Sequence, residues 1–339
     1  MPHSPDNTIA SVGEFALIDR LRQLVPTAGP GVTIGIGDDA AVLQFSHPVV
    51  ATCDSQVEGV HFTWALCRPG DVGWRALAVN LSDVAAMGGT PRHALISLVL
   101  PRDTLLDMVE ELYRGIAAAA LAHAVSIVGG NVSGADGPLV VDITLLGETP
   151  RPVTRSGARP GDGVWVTGSL GKAAAGRFLL EHPEIQAPGR AVLEQAYRRP
   201  SPRVDAGRVL SALGPRAMID TSDGTASDLL HLVDASGVGV RLDEDRLPVP
   251  DGLGPVAHAA GIDPRAWALR GGEDYELLFA AEPGFDAEAP GVARRIGVNL
   301  TRIAEILPAS AGRWIHGSGV PRPLTAEGWD HFPAGGGRR

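Results

Sequence analysis

The acidic residues of this chain gather at five places, most of them beside glycine. Gly35-Ile36-Gly37-Asp38-Asp39-Ala40 is the first, Thr52-Cys53-Asp54 the second and Asn80-Leu81-Ser82-Asp83 the third. Asp220-Thr221-Ser222-Asp223-Gly224 and Gly271-Gly272-Glu273-Asp274 complete the set, and Gly129-Gly130-Asn131 is a related glycine loop that ends in an amide. Carboxylates at the ends of separate elements suit magnesium, a hard cation usually held by one or two carboxylates plus phosphate oxygens. Glycine beside them lets backbone N–H groups approach a phosphate closely. The chemistry that fits is a metal–nucleotide or metal–phosphate site, in which bridging cations reconcile an acidic pocket with an anionic ligand.

Each cluster alone also has a plain structural explanation. An Asp-Asp pair or a Ser-Asp-Gly is more often a turn or a helix cap, and Asp223-Gly224 could simply start a helix. Asp83 carries more weight, because it sits in an otherwise apolar, Ala-rich helical segment. Gly168-Ser169-Leu170-Gly171-Lys172-Ala173 has the wrong spacing for a Walker A loop and no hydroxyl after the lysine. It reads as a strand–helix turn. His61, in Val57-Glu58-Gly59-Val60-His61-Phe62, is by spacing alone more often structural than a substrate contact. No nucleophile–base pair is legible.

Composition narrows the function class. The chain has 339 residues, 44% of them hydrophobic but only 5% aromatic, with a formal charge of −10. That length predicts roughly two domains. The acidic balance argues against nucleic acid, which needs a basic footprint. Two cysteines, Cys53 and Cys67, form no C-x-x-C pair and imply neither a zinc knuckle nor a disulfide framework. No signal-peptide pattern and no apolar stretch long enough for a bilayer are visible. A soluble, cytoplasmic protein is expected, with no membrane partner.

The elements that must position these residues follow from periodicity. Residues 1–10 read as a loose tail. Ser11 and Glu14 form a capping pattern before a helix with Phe15, Leu17, Ile18, Leu21 and Leu24 on its apolar side. Helices are predicted over Asp71 to Met87 and Thr104 to His123. In the first, Asp83 falls roughly opposite Trp74 and points away from the apolar stripe. Val49 to Cys53, Val125 to Val128 and the alternating Leu139, Val141, Ile143 and Leu145 read as strands. In the second half, Val164–Thr167, Ala217–Ile219, Tyr275–Ala280 and Leu300–Ile306 read as strands, with a helix after Gly224. Strands and helices alternate in both halves, so two α/β (or α+β) domains are expected, 1–150 and 151–339. The boundary lies in the Pro/Gly-punctuated stretch from Arg151 to Asp162.

In order along the chain, these motifs resemble the thiamine-monophosphate kinase family, of the superfamily that includes aminoimidazole ribonucleotide synthetase. The matching segments are GIGDDAAV at 35–42, VEGVHF at 57–62, NLSDVAAMGG at 80–89, TRSGARPGD at 154–162, IDTSDG at 219–224 and GGEDYELLF at 271–279. The resemblance implies a two-domain fold that forms a homodimer through N-terminal sheets, with a barrel across the interface. It assigns ATP and magnesium binding and dimerisation to the first domain and completion of the substrate site to the second. It implies the reaction of ATP with thiamine monophosphate to give ADP and thiamine diphosphate, with several magnesium ions.

By the same resemblance, Asp39, Thr52, Cys53, Asp54, Asp83, Asn131, Asp220 and Asp223 match magnesium-ligand positions. Asp39, Asp83 and Asp220 are the ones taken as catalytic. Tyr113, Gly130, Arg155 and Ser222 match ATP contacts, and His61, Glu273 and Trp329 match positions lining the acceptor site. Two positions depart from the family's usual pattern: Asn131 stands where Asp is common, and Cys53 where Thr is common. Two other readings stay open at this level. One is an enzyme of the same superfamily with a different acceptor; the other is a catalytically silent nucleotide-binding homologue.

Overall fold

In the computed structural model, residues 8–326 and Gly328 are described. The chain divides into two units. One holds the described residues up to Val84 together with Gly89–Pro150; the other holds Ala85–Gly88 and the described residues from Arg151 onward.

The first unit opens with α1 (Ile9–Val12) and α2 (Glu14–Arg22), then a two-stranded hairpin of β1 (Val32–Ile34) and β2 (Val42–Leu43). β3 (Val49–Val57), α3 (Pro69–Ala86), β4 (Thr90–Leu100), α4 (Leu106–Ala122), β5 (Ser126–Gly134) and β6 (Val140–Glu148) follow. The four long strands form one sheet in the order β3-β6-β4-β5, antiparallel except for the β4–β5 pair.

The two long helices form where periodicity predicts them. In α4, Leu106, Val109, Leu112 and Ile116 recur on one side and are buried. Each such side chain contributes about 1.5–3 kcal/mol when removed from water. In α3, Leu77, Leu81 and Val84 are fully buried, but so are Arg75, Asn80 and Ser82. That helix is enclosed nearly all round, with Trp74 and Asp83 among its few half-buried positions.

Three local expectations change. The Ser11–Glu14 capping box does not form: the Ser11 hydroxyl donates to Thr8 O at 2.7 Å, and Gly13, at φ 82°, separates two helices. Phe15 is consequently 82% exposed, while Leu17 and Leu21 are buried. The segment just after residue 7 is not loose, because Thr8 bridges to Leu105 and Ile9 N–H donates to Thr104 O. The strand begun near Val125 does not stop at Gly129-Gly130. It continues as β5 to Gly134, with an irregular step in its pairing to β4 between Ala94 and Leu95.

The second unit contains β7 (Gly163–Thr167), α5 (Lys172–Glu181), α6 (Arg190–Arg198), α7 (Val204–Leu213), β8 (Ala217–Asp220), α8 (Thr225–Ser236) and β9 (Gly239–Asp243). Then come α9 (Leu253–Ala260), α10 (Pro264–Arg270), β10 (Leu277–Ala281), α11 (Phe285–Ile296), β11 (Leu300–Leu307), β12 (Arg313–His316) and β13 (Arg322–Pro323). Its seven strands run β13-β12-β9-β11-β7-β10-β8, and only β12–β9 is parallel. β7, β8 and β10 are buried on both faces, which is why they read as unbroken apolar runs. The strand expected from Tyr275 starts at Leu277, because Tyr275 has a left-handed backbone, φ 50°.

Candidate active site

The candidate ligands fall into two groups, one in each unit. In the first, β3 alternates its side chains across the sheet. Thr52, Asp54 and Gln56 face α3: Thr52 Oγ1 donates to Asp83 Oδ2 at 2.5 Å, and Arg75 Nε donates to Gln56 Oε1 at 3.2 Å. Thr52, Asp54 and Asp83 are half-buried.

Cys53 and Ser55 face the other way. The Cys53 thiol lies 3.2 Å from Asp142 Oδ1, and the Ser55 hydroxyl donates to Asp142 Oδ2 at 2.5 Å. The Thr144 hydroxyl pulls the Cys53 thiol pKa down, but partial burial and the Asp142 and Asp54 carboxylates together hold it above its ordinary value. The Cys53 side chain therefore does not share the face of Thr52 and Asp54.

Asn131 is likewise removed from that face. Register places it in one row with Ser97, Asp142 and Ser55, and its amide donates to Ser133 Oγ at 2.9 Å. β3 and β5 are opposite edges of the sheet, three strand spacings or about 14 Å apart. Gly130 pairs with Ile96, and a Cβ there would come within 2.0 Å of Ile96 O. Only glycine allows that approach. Asp39 lies exposed on the turn between β1 and β2, its N–H donating to Asp38 Oδ1.

Tyr113 is buried in α4, and burial pushes its phenol above its ordinary pKa. His61 holds the local backbone in place, since its Nδ1 accepts the Val57 N–H at 3.0 Å and closes the turn that follows β3. That bond puts the proton of the neutral ring on Nε2.

In the second unit, Asp220 ends β8 in a buried position, and Asp223 is half-buried just before α8. Asp228, one turn into α8, is also buried and accepts the Gly224 N–H at 3.1 Å. Burial pushes the Asp228 carboxyl well above the usual range; Asp220 and Asp223 add to the effect, against N–H bonds from Asp223 and Gly224. Three carboxylates thus crowd one helix start.

The Ser222 carbonyl accepts the Glu273 N–H at 2.8 Å, and the Thr221 carbonyl accepts the Tyr275 N–H at 2.9 Å. The IDTSDG and GGEDYE segments are therefore laced together through their backbones. Gly272 makes this possible, since a Cβ there would meet Ser222 O at 2.3 Å. Glu273 and Tyr275 have φ of 69° and 50°. For residues other than glycine such backbone costs on the order of 1–3 kcal/mol each and persists where surroundings impose it.

Arg155 is exposed on a segment pinned by Met218 N–H to Thr154 O and by the Ser236 hydroxyl, which accepts from Gly157 and Ala158 N–H at 3.2 Å. Trp329 lies outside the described residues.

Asp274, the last residue of the fifth acidic cluster, is turned to the chain's own backbone. Asp274 accepts N–H groups from Gly171 at 2.5 Å and Ala173 at 3.1 Å, at the start of α5. The terminus that a phosphate-binding loop would offer is filled by a carboxylate of the chain itself. Glu276 and Asp228 escape pattern reading because each sits within or beside an apolar run, and Arg203 because it stands in a Pro-punctuated stretch that marks no partner. The one available signal is a carboxylate in the middle of the Tyr-Glu-Leu-Leu-Phe run.

The donors of each unit, taken separately, suit magnesium. Thr52, Asp54, Asp83, Asp220 and Asp223 offer hard oxygens only. Asn80 Oδ1, on the turn of α3 preceding Asp83, is buried with no hydrogen-bond partner. Among the described residues no three His, Cys, Asp or Glu side chains are gathered closely enough to hold an ion alone.

Comparison with known proteins identifies the family. Residues 37–149 match the N-terminal domain of AIR synthase related proteins, and residues 159–315 match the C-terminal domain. The chain is 37% identical to the thiamine-monophosphate kinase of Rhodopirellula baltica, over 87% of this chain and 88% of that protein. The crystal structure of thiamine-monophosphate kinase from Stenotrophomonas maltophilia K279a superposes with a TM-score of 0.79 at 36% identity, covering 93% of this chain and 98% of that one. AaThiL complexed with AMPPCP and TMP superposes with a TM-score of 0.76 at 35% identity, covering 95% and 97%. With both domain models matched in order and kinases alike along nearly their whole length, this chain belongs to the thiamine-monophosphate kinase family, among the AIR synthase related proteins.

Proposed function

We propose that this chain transfers the γ-phosphoryl group of ATP to the phosphate of thiamine monophosphate, giving ADP and thiamine diphosphate. The observation that carries this is full-length likeness to thiamine-monophosphate kinases, one of them complexed with AMPPCP and TMP. The acceptor is a phosphomonoester, whose second pKa is about 6. It is already largely anionic at neutral pH, so no general base is required. Direct in-line attack follows, with positioning and charge neutralisation as the main work.

In the first unit, Thr52, Asp54 and Asp83 would hold magnesium, with Asp39 on its glycine-flanked turn as a further donor. In the second, Asp220 and Asp223 would do the same, Arg155 and Ser222 meet nucleotide phosphate, and Glu273 meets the acceptor. Magnesium bound at these residues would supply neutralisation of phosphate charge. Cys53 can contribute to such a set only through its backbone carbonyl, and Asn131 only to an ion other than that of Thr52 and Asp83. The open face of the four-stranded sheet exposes Val49, Ala51, Cys53 and Leu95, and a second copy of the chain covers it to close a barrel.

Incubation of the purified protein with ATP, magnesium and thiamine monophosphate tests the reading. Thiamine diphosphate forming in step with ADP supports it. ADP released only on another acceptor favours a different member of the superfamily, and nucleotide binding without turnover favours a silent homologue.

A further inference from the structure

A buried polar corner of the second unit touches none of the proposed ligands yet grips the loop that carries one of them. Glu276 is fully buried. Its carboxylate accepts from Arg203 Nε and Nη2, both at 2.6 Å, and from Thr167 Oγ1 at 2.7 Å, with Lys172 Nζ 3.7 Å away. Two residues earlier, Asp274 is fastened to the N–H groups that open α5. The intervening residues turn the other way. Glu273 and Tyr275 give their N–H groups to Ser222 and Thr221, and Thr221 exchanges further bonds with the Glu276 backbone.

The loop is thus held on two sides, by side chains at 274 and 276 and by main chain at 273 and 275. The left-handed backbone at Glu273 and Tyr275 is where the two sets of anchors meet. An apolar corner of equal volume could give equal stability, because a buried ion pair is weak evidence for stability. A fully satisfied polar network instead fixes one geometry.

We infer that Asp274, Glu276 and Arg203 are positioning residues that set the Glu273 side chain and the Asp220–Asp223 segment in one register, so that acceptor recognition is governed by a corner that touches no substrate. This rests on the kinase reading of the same site. Arg203 enters from the start of α7 and Lys172 from α5, so separate elements must agree on where Glu273 stands.

The test pairs Glu276→Gln with the double variant Arg203→Met/Glu276→Leu, which removes both charges at similar volume. Melting temperature, steady-state kinetics against each substrate and amide exchange at Glu273 and Tyr275 are measured for both. The double variant is expected to melt within about 3 °C of the parent, and Glu276→Gln, which leaves Arg203 without its charge partner, is expected to melt lower. In both, amide exchange at the two positions is expected to be at least about 10-fold faster and kcat/KM for thiamine monophosphate at least about 10-fold lower, mainly through KM. Faster exchange with both KM values and kcat within about two-fold of the parent overturns the inference. If the double variant does not fold, Glu276→Gln decides on the same readouts. If the parent itself forms no thiamine diphosphate, the kinase reading fails. In that case unchanged exchange at Glu273 and Tyr275 overturns the positioning role, and faster exchange supports it.

Discussion

Thr52 Oγ1 donates to Asp83 Oδ2 across 2.5 Å, so a strand and a helix distant in sequence present hard oxygens from one contact. Replacing Asp83 by Asn keeps an oxygen within reach of Thr52 but removes the charge. Asp83→Asn is expected to lower kcat/KM at least about 100-fold while costing about 1 kcal/mol of stability, the worth of one hydrogen bond. Kinetics at saturating magnesium beside a urea melt separate the two effects. Near-parent kcat in this variant would remove Asp83 from the ligand set.

Asp220 is buried, and its charge helps to raise the pKa of the neighbouring Asp228. Asp220→Asn relieves like-charge repulsion, so its melting temperature in metal-free buffer is expected to equal or exceed that of the parent. Turnover is expected to fall at least about 100-fold, the pattern of a site that trades stability for function. A variant that is both less stable and still active would contradict this.

His93 is buried, neither ring nitrogen has a hydrogen-bond partner, and Phe45 packs against it at a ring-centroid distance of 5.4 Å. Burial, with help from Arg92 and against Glu148, lowers its pKa below the ordinary 6.5. The unfolded chain then binds a proton near pH 6 that the fold does not. Stability should therefore be present above pH 6.5 and decline as pH falls through and below it. His93→Phe should flatten that decline, as read from urea midpoints at pH 5.5 and 7.5.

Asp274 behaves oppositely. Burial pushes its pKa up to about 7, against the two N–H bonds and Lys172 and with help from Glu276. The fold holds a proton here that the unfolded chain gives up near pH 3.8. This group's contribution is fully present below that value and is lost as pH rises through about 7. The stability difference between parent and Asp274→Asn should shift against the parent between pH 5 and 7.5 and level off above. A constant difference would show that the carboxyl does not titrate in that window.

Cys53 faces Asp142 rather than Asp83, and its thiol pKa is raised. Cys53→Ser should leave the magnesium titration unchanged within about two-fold, and iodoacetamide should label the parent thiol slowly at neutral pH. Rapid labelling would contradict both the raised pKa and the covering of this face by a second copy.

Much of the fold was legible where one period dominated. α3, α4 and the buried strands β7, β8 and β10 follow from repeating Leu, Ile and Val. The failures have physical causes. Ser11 and Glu14 have the letters of a capping box, but Gly13 between them takes a positive φ and breaks the helix. Gly129-Gly130 looks like a strand end, yet here glycine serves close approach of β5 to β4. The alternation that sets Cys53 and Asn131 on a different face from Thr52 and Asp54 follows from strand period and register. The register emerges only once β6 and β4 intervene. The partners of Asp274 and Glu276 stayed hidden because, on α5, β7 and at the start of α7, they are 73 to 109 residues away in sequence.

The carboxylate seated at the start of α5 has a pharmacological consequence. An inhibitor designed around an anionic group lodged on a glycine-rich turn needs open N–H donors there. Here that berth is taken by the Asp274 carboxyl of the protein itself, which already occupies the Gly171 and Ala173 N–H groups. Compounds of that design should spare this enzyme. Selective ones must draw their affinity from elsewhere on its surface.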